Sequence, residues 1–388
     1  MPKRILKLVV APGLLILVMC ISACSGGESV EKAADQNSKG FQSFKIDINS
    51  PQVPLGELIE RVEVLGLEET DSSLLSYANQ VFSFEDKLVF PSGRKGEIFV
   101  YNNQGEFINK FGHKGDGPGE YASLKSLWMK ADSILVFDHD KASLLYYGLD
   151  GGHLKTVKFK DRPTHVMHHE GNYLMEISFQ PLEDSLKYRL VIQNEQLERI
   201  GLYLPYEKEL PFPVYSNINS FKPSGDQMFF QPTFHDTIYQ VSSEGVIPAF
   251  SIDFGEDYFW DDETLFDNPN GVMSLIGERN QVWIFNTFIG QEKSILNFNT
   301  SFRDFYQGVL DKKTGTFQRM DLKRTAEDRF TFITVRPDRD GFLLGLPSIE
   351  LAEFMEEVGK AKFSFRADWS LEKIESSENP LLMWVKFR

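Results

Sequence analysis

From about Lys45 onward, short runs of alternating or continuous apolar residues are separated by Gly, Asp and Asn clusters, the pattern of β-strands joined by tight turns. Lys87–Phe90, Glu97–Tyr101 and Glu106–Phe111 follow one another, the last two joined by Asn102-Asn103-Gln104-Gly105, a hairpin signal. The same cadence returns at Ser133–Asp138, Ser143–Tyr147 and His153–Phe159, then at Asn172–Ile177, Tyr188–Ile192 and Leu197–Leu202. A fourth unit runs Gln227–Phe230, Thr237–Val241 and Ile247–Ile252. A fifth runs Gln281–Phe285, Phe305–Leu310 and Thr316–Leu322. A sixth begins at Phe342-Leu343-Leu344 and ends with Leu382–Phe387. Turns at Gly105, Gly151, Glu195 and Gly245 fall roughly 45–50 residues apart, the spacing of four-stranded propeller blades.

The sixth unit lacks an outer strand because the chain stops, whereas a spare strand, Arg61–Leu67, precedes the first. Pairing these two closes the ring and removes two sheet edges. The predicted fold is therefore all-β: a six-bladed β-propeller of four-stranded antiparallel blades, closed by its N- and C-terminal strands. Ser348–Lys360 carries Ile349, Ala352, Met355 and Val358 between glutamates, which predicts one short amphipathic helix in the last blade, capped by Ser348. Gly255–Gly271, acidic and aromatic, reads as an inter-blade segment.

The first residues follow different rules. Lys3, Arg4 and Lys7 precede an uncharged, Leu/Val/Ile-rich run from Leu8 to Ile21, short for a membrane span and suited to a secretory signal. Ile21-Ser22-Ala23-Cys24 resembles the bacterial lipobox, in which Cys24 receives the lipid. Residues 1–23 are thus expected to be a lipoprotein signal peptide, 24–44 a flexible polar tether and 45–388 the propeller. Several acyl chains anchor a protein stably where one does not. Ser25, rather than Asp, after Cys24 points to the outer membrane of the envelope. Only two cysteines exist, Cys20 and Cys24, so the propeller has neither a disulfide framework nor a cysteine metal site. A formal net charge of −15 argues against nucleic acid as a partner.

The most specific internal motif is His113-Lys114-Gly115-Asp116-Gly117-Pro118-Gly119-Glu120-Tyr121, following a Phe-Ile-x-x-Phe-Gly strand. It resembles the Gly-x-Gly-Pro-Gly-Glu-Tyr signature of the six-bladed β-propeller lipoproteins of Bacteroidetes, relatives of NHL-repeat propellers. Glu378–Phe387 resembles that family's closing strand. The resemblance implies fold and surface location, and no activity. Read physically, the loop is an inter-blade turn, since no Walker-type Lys-Ser/Thr or following helix accompanies its glycines.

Candidate chemistry is sparse. Propellers bind ligands at the channel mouth, where the innermost strands converge. Arg94, Tyr121, His165, Phe221, Arg279 and Arg336 are expected to start those strands, and converging arginines in an acidic protein favour an anionic ligand. Tyr258, Trp260, Asp261 and Asp262 could grip a sugar through ring stacking and carboxylate hydrogen bonds. His165, His168 and His169 lie close in sequence but lack a pointer to a third metal ligand, and Asp138-His139-Asp140 reads as a blade turn. No catalytic residue, metal site or cofactor is assigned, and no Gly-x-Ser-x-Gly or His-Glu-x-x-His pattern occurs. The expected role is a lipid-anchored envelope propeller that binds or scaffolds a glycan, peptide or protein partner. The alternative is a metal-dependent hydrolase or lyase of the lactonase type, with Glu, Asn and Asp around an ion in the channel. Three or more converging carboxylates or amides would favour the enzyme; Arg, Tyr or apolar plugging would favour binding.

Overall fold

Local turn chemistry sets the hairpins. Asn102 Oδ1 accepts the N–H groups of Gln104 at 3.0 Å and Glu106 at 2.8 Å, and the Asn102 amide donates to Glu106 Oε2 at 2.7 Å. Asn194 repeats the device with Gln196 at 3.0 Å and Glu198 at 2.9 and 2.7 Å. Both turns need one residue with positive φ, supplied by Gly105 at +83° and, at a steric cost, by Leu197 at +63°. Two blades thus share one turn mechanism encoded by an Asn four residues before a Glu.

The computed structural model describes residues 41–388 except 76–77, 79, 92–95, 179–180, 183, 208–217, 267–268, 326 and 332. The signal segment, Cys24, nearly all of the tether, and Arg94 lie outside the described residues. Six sheets form in sequence. Blade 1 holds Phe82–Phe84, Lys87–Pro91, Ile98–Asn102 and Phe107–Phe111. Blade 2 holds Ser126–Lys130, Ser133–Asp138, Ser143–Gly148 and His153–Lys158. Blade 3 holds His165–His169, Asn172–Glu176, Tyr188–Asn194 and Arg199–Pro205, and blade 4 Phe221–Ser224, Gln227–Phe230, Thr237–Ser242 and Gly245–Asp253. Blade 5 holds Ile284–Ile289, Lys293–Asn299, Phe305–Asp311 and Thr316–Asp321. Blade 6 holds Ile333–Asp338, Gly341–Leu346 and Leu381–Phe387, and takes its next strand from Ile59–Leu65 near the N-terminus.

That last pairing closes the ring as expected, antiparallel, with Val64 opposite Met383 and Val62 opposite Val385. The blades are not all four-stranded, however. Gln42–Lys45 adds in parallel to the outer edge of blade 4, Gln52–Pro54 to blade 5 and Phe363–Phe365 to blade 6. The first of these begins inside the stretch read as tether, because Phe44, Ile46 and Ile48 are buried against blade 4. Covering an outer edge satisfies backbone groups that would otherwise invite another chain.

Apolar faces pack between successive blades. Phe137, Val166, Leu174, Leu190 and Phe230 belong to one cluster running through blades 2, 3 and 4. The expected helix forms at Leu351–Val358 after a short 3-10 turn, but its register differs: Leu351, Phe354, Met355 and Val358 are buried, while Ile349 is 75% exposed. Ser348 does not cap it, because its hydroxyl donates to the Ser377 carbonyl at 2.5 Å. Among the described residues three further helices are present, Leu55–Leu58, Pro269–Glu278 and Leu371–Glu375, together with 3-10 turns through the stretch read as an inter-blade segment. Among the described residues no helix is long and apolar enough to cross a membrane.

The link from blade 6 to blade 1 hangs on one buried amide. Asn379 Oδ1 accepts the Leu75 N–H at 2.7 Å, and its Nδ2 donates to the carbonyls of Glu68 at 2.9 Å and Ser73 at 3.0 Å. Tyr101 of blade 1 donates to the same Ser73 carbonyl at 2.8 Å. Buried backbone groups in a loop need such partners.

Candidate functional site

Every blade starts at its innermost strand, so the N-terminal ends of those strands share one face of the ring. On or beside them, each blade places a polar residue: Ser83, Lys125, His165, Lys222, Asn286 and Arg336 in order around the ring. His165 and Lys222 are 1% and 7% exposed, and Lys125 is half-buried.

The strongest network joins blades 3 and 4. His165 Nδ1 lies 2.7 Å from Glu176 Oε2, its direct neighbour across the strand pair. Ser220 donates to the same oxygen at 2.6 Å, and Thr233 Oγ1 donates to Oε1 at 3.0 Å. Burial alone pushes the Glu176 carboxyl up, but the His165, Ser220 and Thr233 contacts outweigh it and hold the group below the usual carboxylate range. The ionised carboxylate fixes the imidazole as its Nδ1–H tautomer. Burial keeps His165 below its ordinary value, and the nearby Lys125 and Lys222 charges add to the depression. His165 Nε2 is buried and makes no hydrogen bond.

Blades 4 and 5 are joined by Lys222, whose ammonium donates to Asn286 Oδ1. Burial drags its pKa down to about 7, with Glu176 opposing. Gln231 donates to the Phe285 carbonyl at 3.1 Å and accepts from Thr287 N at 3.1 Å and Oγ1 at 3.0 Å. Blades 5 and 6 meet through Gln307 and Thr334 at 3.4 Å, and blades 6 and 1 through Arg336 and Ser83 at 2.8 Å. Burial lowers Lys125 and Arg336 as well. The interior is thus cationic in a protein whose net charge is −15.

Of the residues singled out from sequence, His165, Phe221 and Arg336 are on innermost strands, and the first and last carry polar groups into this network. Tyr121 is fully buried between blades, its hydroxyl donating to the Gly96 carbonyl and its ring edge-on to Tyr147. Arg279 is not on an innermost strand: it follows the helix Pro269–Glu278 and pairs with Asp262 at 2.8 Å. The aromatic–acidic segment does not gather into one sugar platform. Trp260 is buried, stacked on Phe234 at 4.0 Å and donating to the Trp283 carbonyl at 2.6 Å. Tyr258 is buried too, while Asp261 is exposed and Asp262 also accepts from the Thr264 N–H and hydroxyl. Burial pushes Tyr258 far up, which keeps the phenol neutral.

The glycine-rich loop is filled by its own side chains. Glu120 accepts from Gly117 N at 2.8 Å and contacts His113 Nε2 at 2.5 Å. Lys141 donates to the Gly115 carbonyl at 2.7 Å. Just after the motif, buried Asp138 takes the Ala122 N–H at 2.7 Å and the Ser123 hydroxyl at 3.0 Å. An acidic side chain already occupies the place a phosphate would need. His168 sits 3.0 Å from Lys130 Nζ and 3.4 Å from Glu195, on blade 3 but apart from the His165 network. Among the described residues no three His, Cys, Asp or Glu side chains are placed to hold a metal ion. A cleft of about 480 Å³, lined by Gln52, Tyr306, Gln307, Asp321, Lys323 and Arg329, flanks blade 5.

Lys125, Glu176, Lys222 and Asn286 were not picked out in sequence. The available signal was a charged residue inside an apolar strand: Glu176 follows Tyr-Leu-Met and precedes Ile, and Lys222 sits between Phe221 and Pro223.

No curated protein is significantly similar in sequence. Among solved structures, the "Putative exported protein" of Bacteroides fragilis NCTC 9343 is similar over 90% of this chain and 99% of its own, at 20% identity and a TM-score of 0.70. A member of the DUF4221 family from Bacteroides vulgatus covers 86% of this chain and 99% of its own, at 11% identity and a TM-score of 0.48. A virginiamycin B lyase from Staphylococcus aureus covers 74% and 81%, at 12% identity and 0.37. Residues 43–386, all six blades, match the family described as "Domain of unknown function (DUF4934)". The chain belongs to the DUF4934 family, and its member fold is the six-bladed β-propeller.

Proposed function

We propose that this protein is an exported, lipid-anchored propeller of the bacterial envelope, at the outer membrane, that binds or scaffolds a glycan, peptide or protein partner at its channel mouth. The lipobox-like Ile21-Ser22-Ala23-Cys24 supports the anchor, and the name of the structurally similar Bacteroides fragilis protein agrees with export. The likeness of the Gly-Pro-Gly-Glu-Tyr motif to NHL-related lipoproteins points the same way.

The observation that carries the binding reading is the chemistry of the channel interior. A lactonase-type site needs oxygen donors left open to a divalent ion. Here both Glu176 oxygens are taken by His165, Ser220 and Thr233, and the Asn286 oxygen is taken by an ammonium. Among the described residues, the groups of this network do not fit such an ion. Cations and amides fixed by cross-blade bonds suit recognition instead.

The test has two readouts. Cys24→Ala is expected to move the protein from the membrane pellet to the soluble fraction and to remove the acyl mass; unchanged fractionation would contradict the anchor. The purified protein, applied to glycan and peptide arrays, is expected to retain ligands that Arg336→Ala weakens about tenfold, a loss typical of one charge-assisted contact. An array without a specific ligand would contradict the binding role.

A further inference from the structure

The following rests on the channel-mouth reading and names its ligand chemistry. Lys222 is buried on the innermost strand of blade 4, and its ammonium has one hydrogen bond, to Asn286, and no ion pair among the described residues. A buried cation without a contacting anion is costly, and folded proteins rarely keep one without a use. One strand away, His165 is locked through Nδ1 to Glu176 on the second strand of blade 3. Its Nε2, on the other edge of the imidazole ring, is unbonded although the residue is buried. Glu176 does not neutralise the lysine by contact, because its oxygens already accept from His165, Ser220 and Thr233. Lys125 comes immediately before the innermost strand of blade 2 and is only half-buried, which gives the cluster its opening to solvent. Lys125, His165 and Lys222 stand at the starts of three innermost strands that neighbour one another around the ring, and Ser220, two residues before Lys222, reaches the same carboxylate oxygen as His165, which places the three groups at one end of the channel.

We propose that Lys125, His165 and Lys222, from three successive blades, form an anion site that receives one oxyanion group of a small ligand. The anion supplies the charge Lys222 lacks and takes up the orphaned imidazole nitrogen. The shared chemistry is a carboxylate or phosphate head; the two are separated experimentally. A purely structural cross-blade role for Lys222 predicts the opposite stability effect on mutation, which makes the idea testable without knowing the natural ligand.

The purified protein is melted in rising sodium phosphate and, separately, sodium glucuronate, each against sodium chloride of equal ionic strength. One of the two is expected to raise Tm saturably above the chloride control, phosphate identifying a phosphoryl head and glucuronate a carboxylate. Lys222→Met and, independently, Lys125→Met are expected to weaken that anion at least tenfold. Ligand-free Lys222→Met is expected to melt several degrees above wild type. Should that variant fail to fold, Lys125→Met, at a half-exposed position, carries the test. Anion shifts no larger than with chloride, or wild-type affinity in the folded variants, overturn the site. If a neutral glycan or peptide binds while neither anion does, the anion assignment falls and the binding role stands. If nothing binds, both fall.

Discussion

Replacing Val64 by aspartate is expected to abolish the cooperative thermal transition of the whole propeller. Val64 is completely buried in Ile59–Leu65, opposite Met383 on one side and Phe365 on the other. The substitution removes roughly 1.5–3 kcal/mol of apolar burial and places a carboxyl group where no donor waits, at a further several kcal/mol. Together these approach the whole stability of a typical domain, about 5–15 kcal/mol. The position matters as much as the sum, since this strand is what joins the last blade to the start of the chain. Glu60→Gln, on the exposed face of the same strand, is expected to stay within about 0.5 kcal/mol of wild type. Scanning calorimetry of both separates closure from composition. A Val64→Asp protein that melts cooperatively within a few degrees of wild type would show that the strand is dispensable.

The second large effect is expected at Glu176. Glu176→Leu leaves the His165, Ser220 and Thr233 donors buried without their acceptor, a loss of about 3–5 kcal/mol of stability for a broken buried charged network. The pH dependence gives a signature that a simple packing defect lacks. The Glu176 carboxyl is held below its ordinary value of 4.5, so the unfolded chain binds the proton first as pH falls. Its stabilisation is complete above pH 4.5 and is lost as pH drops through the lower folded value. His165 is likewise depressed below 6.5, so the unfolded state again takes up the proton first, and stability falls with pH from 6.5 downward. Both groups act in the same direction. Wild-type Tm is expected to decline from pH 6.5 to pH 4, and Glu176→Leu to start lower and decline less below pH 4.5. A variant with an unchanged acid slope would mean that other carboxylates set it.

Lys222 belongs to the same balance with a different consequence. A depressed lysine favours the unfolded state wherever the ammonium persists there, which is the case from pH 7 up to its ordinary 10.5 and, at full cost, below pH 7. The structure therefore carries a destabilising residue at the place where blades converge, the pattern expected of function held against stability.

The ring was legible because its period is long and its punctuation is chemical. Asn102, Gly105 and Gly151 mark hairpins whether or not the blades pack, and the spare strand before the first unit fits the missing strand after the last. The fifth strands were not legible. Gln42–Lys45, Gln52–Pro54 and Phe363–Phe365 are too short to show a period, and parallel addition to an edge leaves no turn beside them. Pro269-Asn270-Gly271 ends the stretch read as an inter-blade segment, yet Pro and polar residues also suit a first helical turn, and a helix starts there. In the last blade the glutamates suggested a face led by Ile349, whereas the larger Leu351 and Phe354 chose the buried side. Of the candidate site, His165 and Arg336 were visible because unusual residues stand near strand starts. Their surroundings were hidden: Glu176 faces His165 within one blade, but Ser220, Lys222 and Asn286 come from other blades that only the ring brings alongside. Aromatic density misled at Trp260, whose ring packs on Phe234 and whose N–H is used by a backbone carbonyl.

The closed ring itself is tested most directly by a cross-link between the two ends. Arg61 and Lys386 are paired across the antiparallel ladder, where Cα atoms lie about 4.5–5.5 Å apart, within disulfide reach. Both side chains contact Asp340 at the surface, at 3.2 and 3.3 Å, so their loss costs little. With Cys20 and Cys24 replaced by serine, Arg61→Cys/Lys386→Cys has no other thiols. Mild oxidation of the folded monomer is expected to give a disulfide peptide joining positions 61 and 386 of the same chain, lost when the protein is unfolded first. Recovery of only free thiols, or of links between different molecules, would contradict a ring closed by its own two ends.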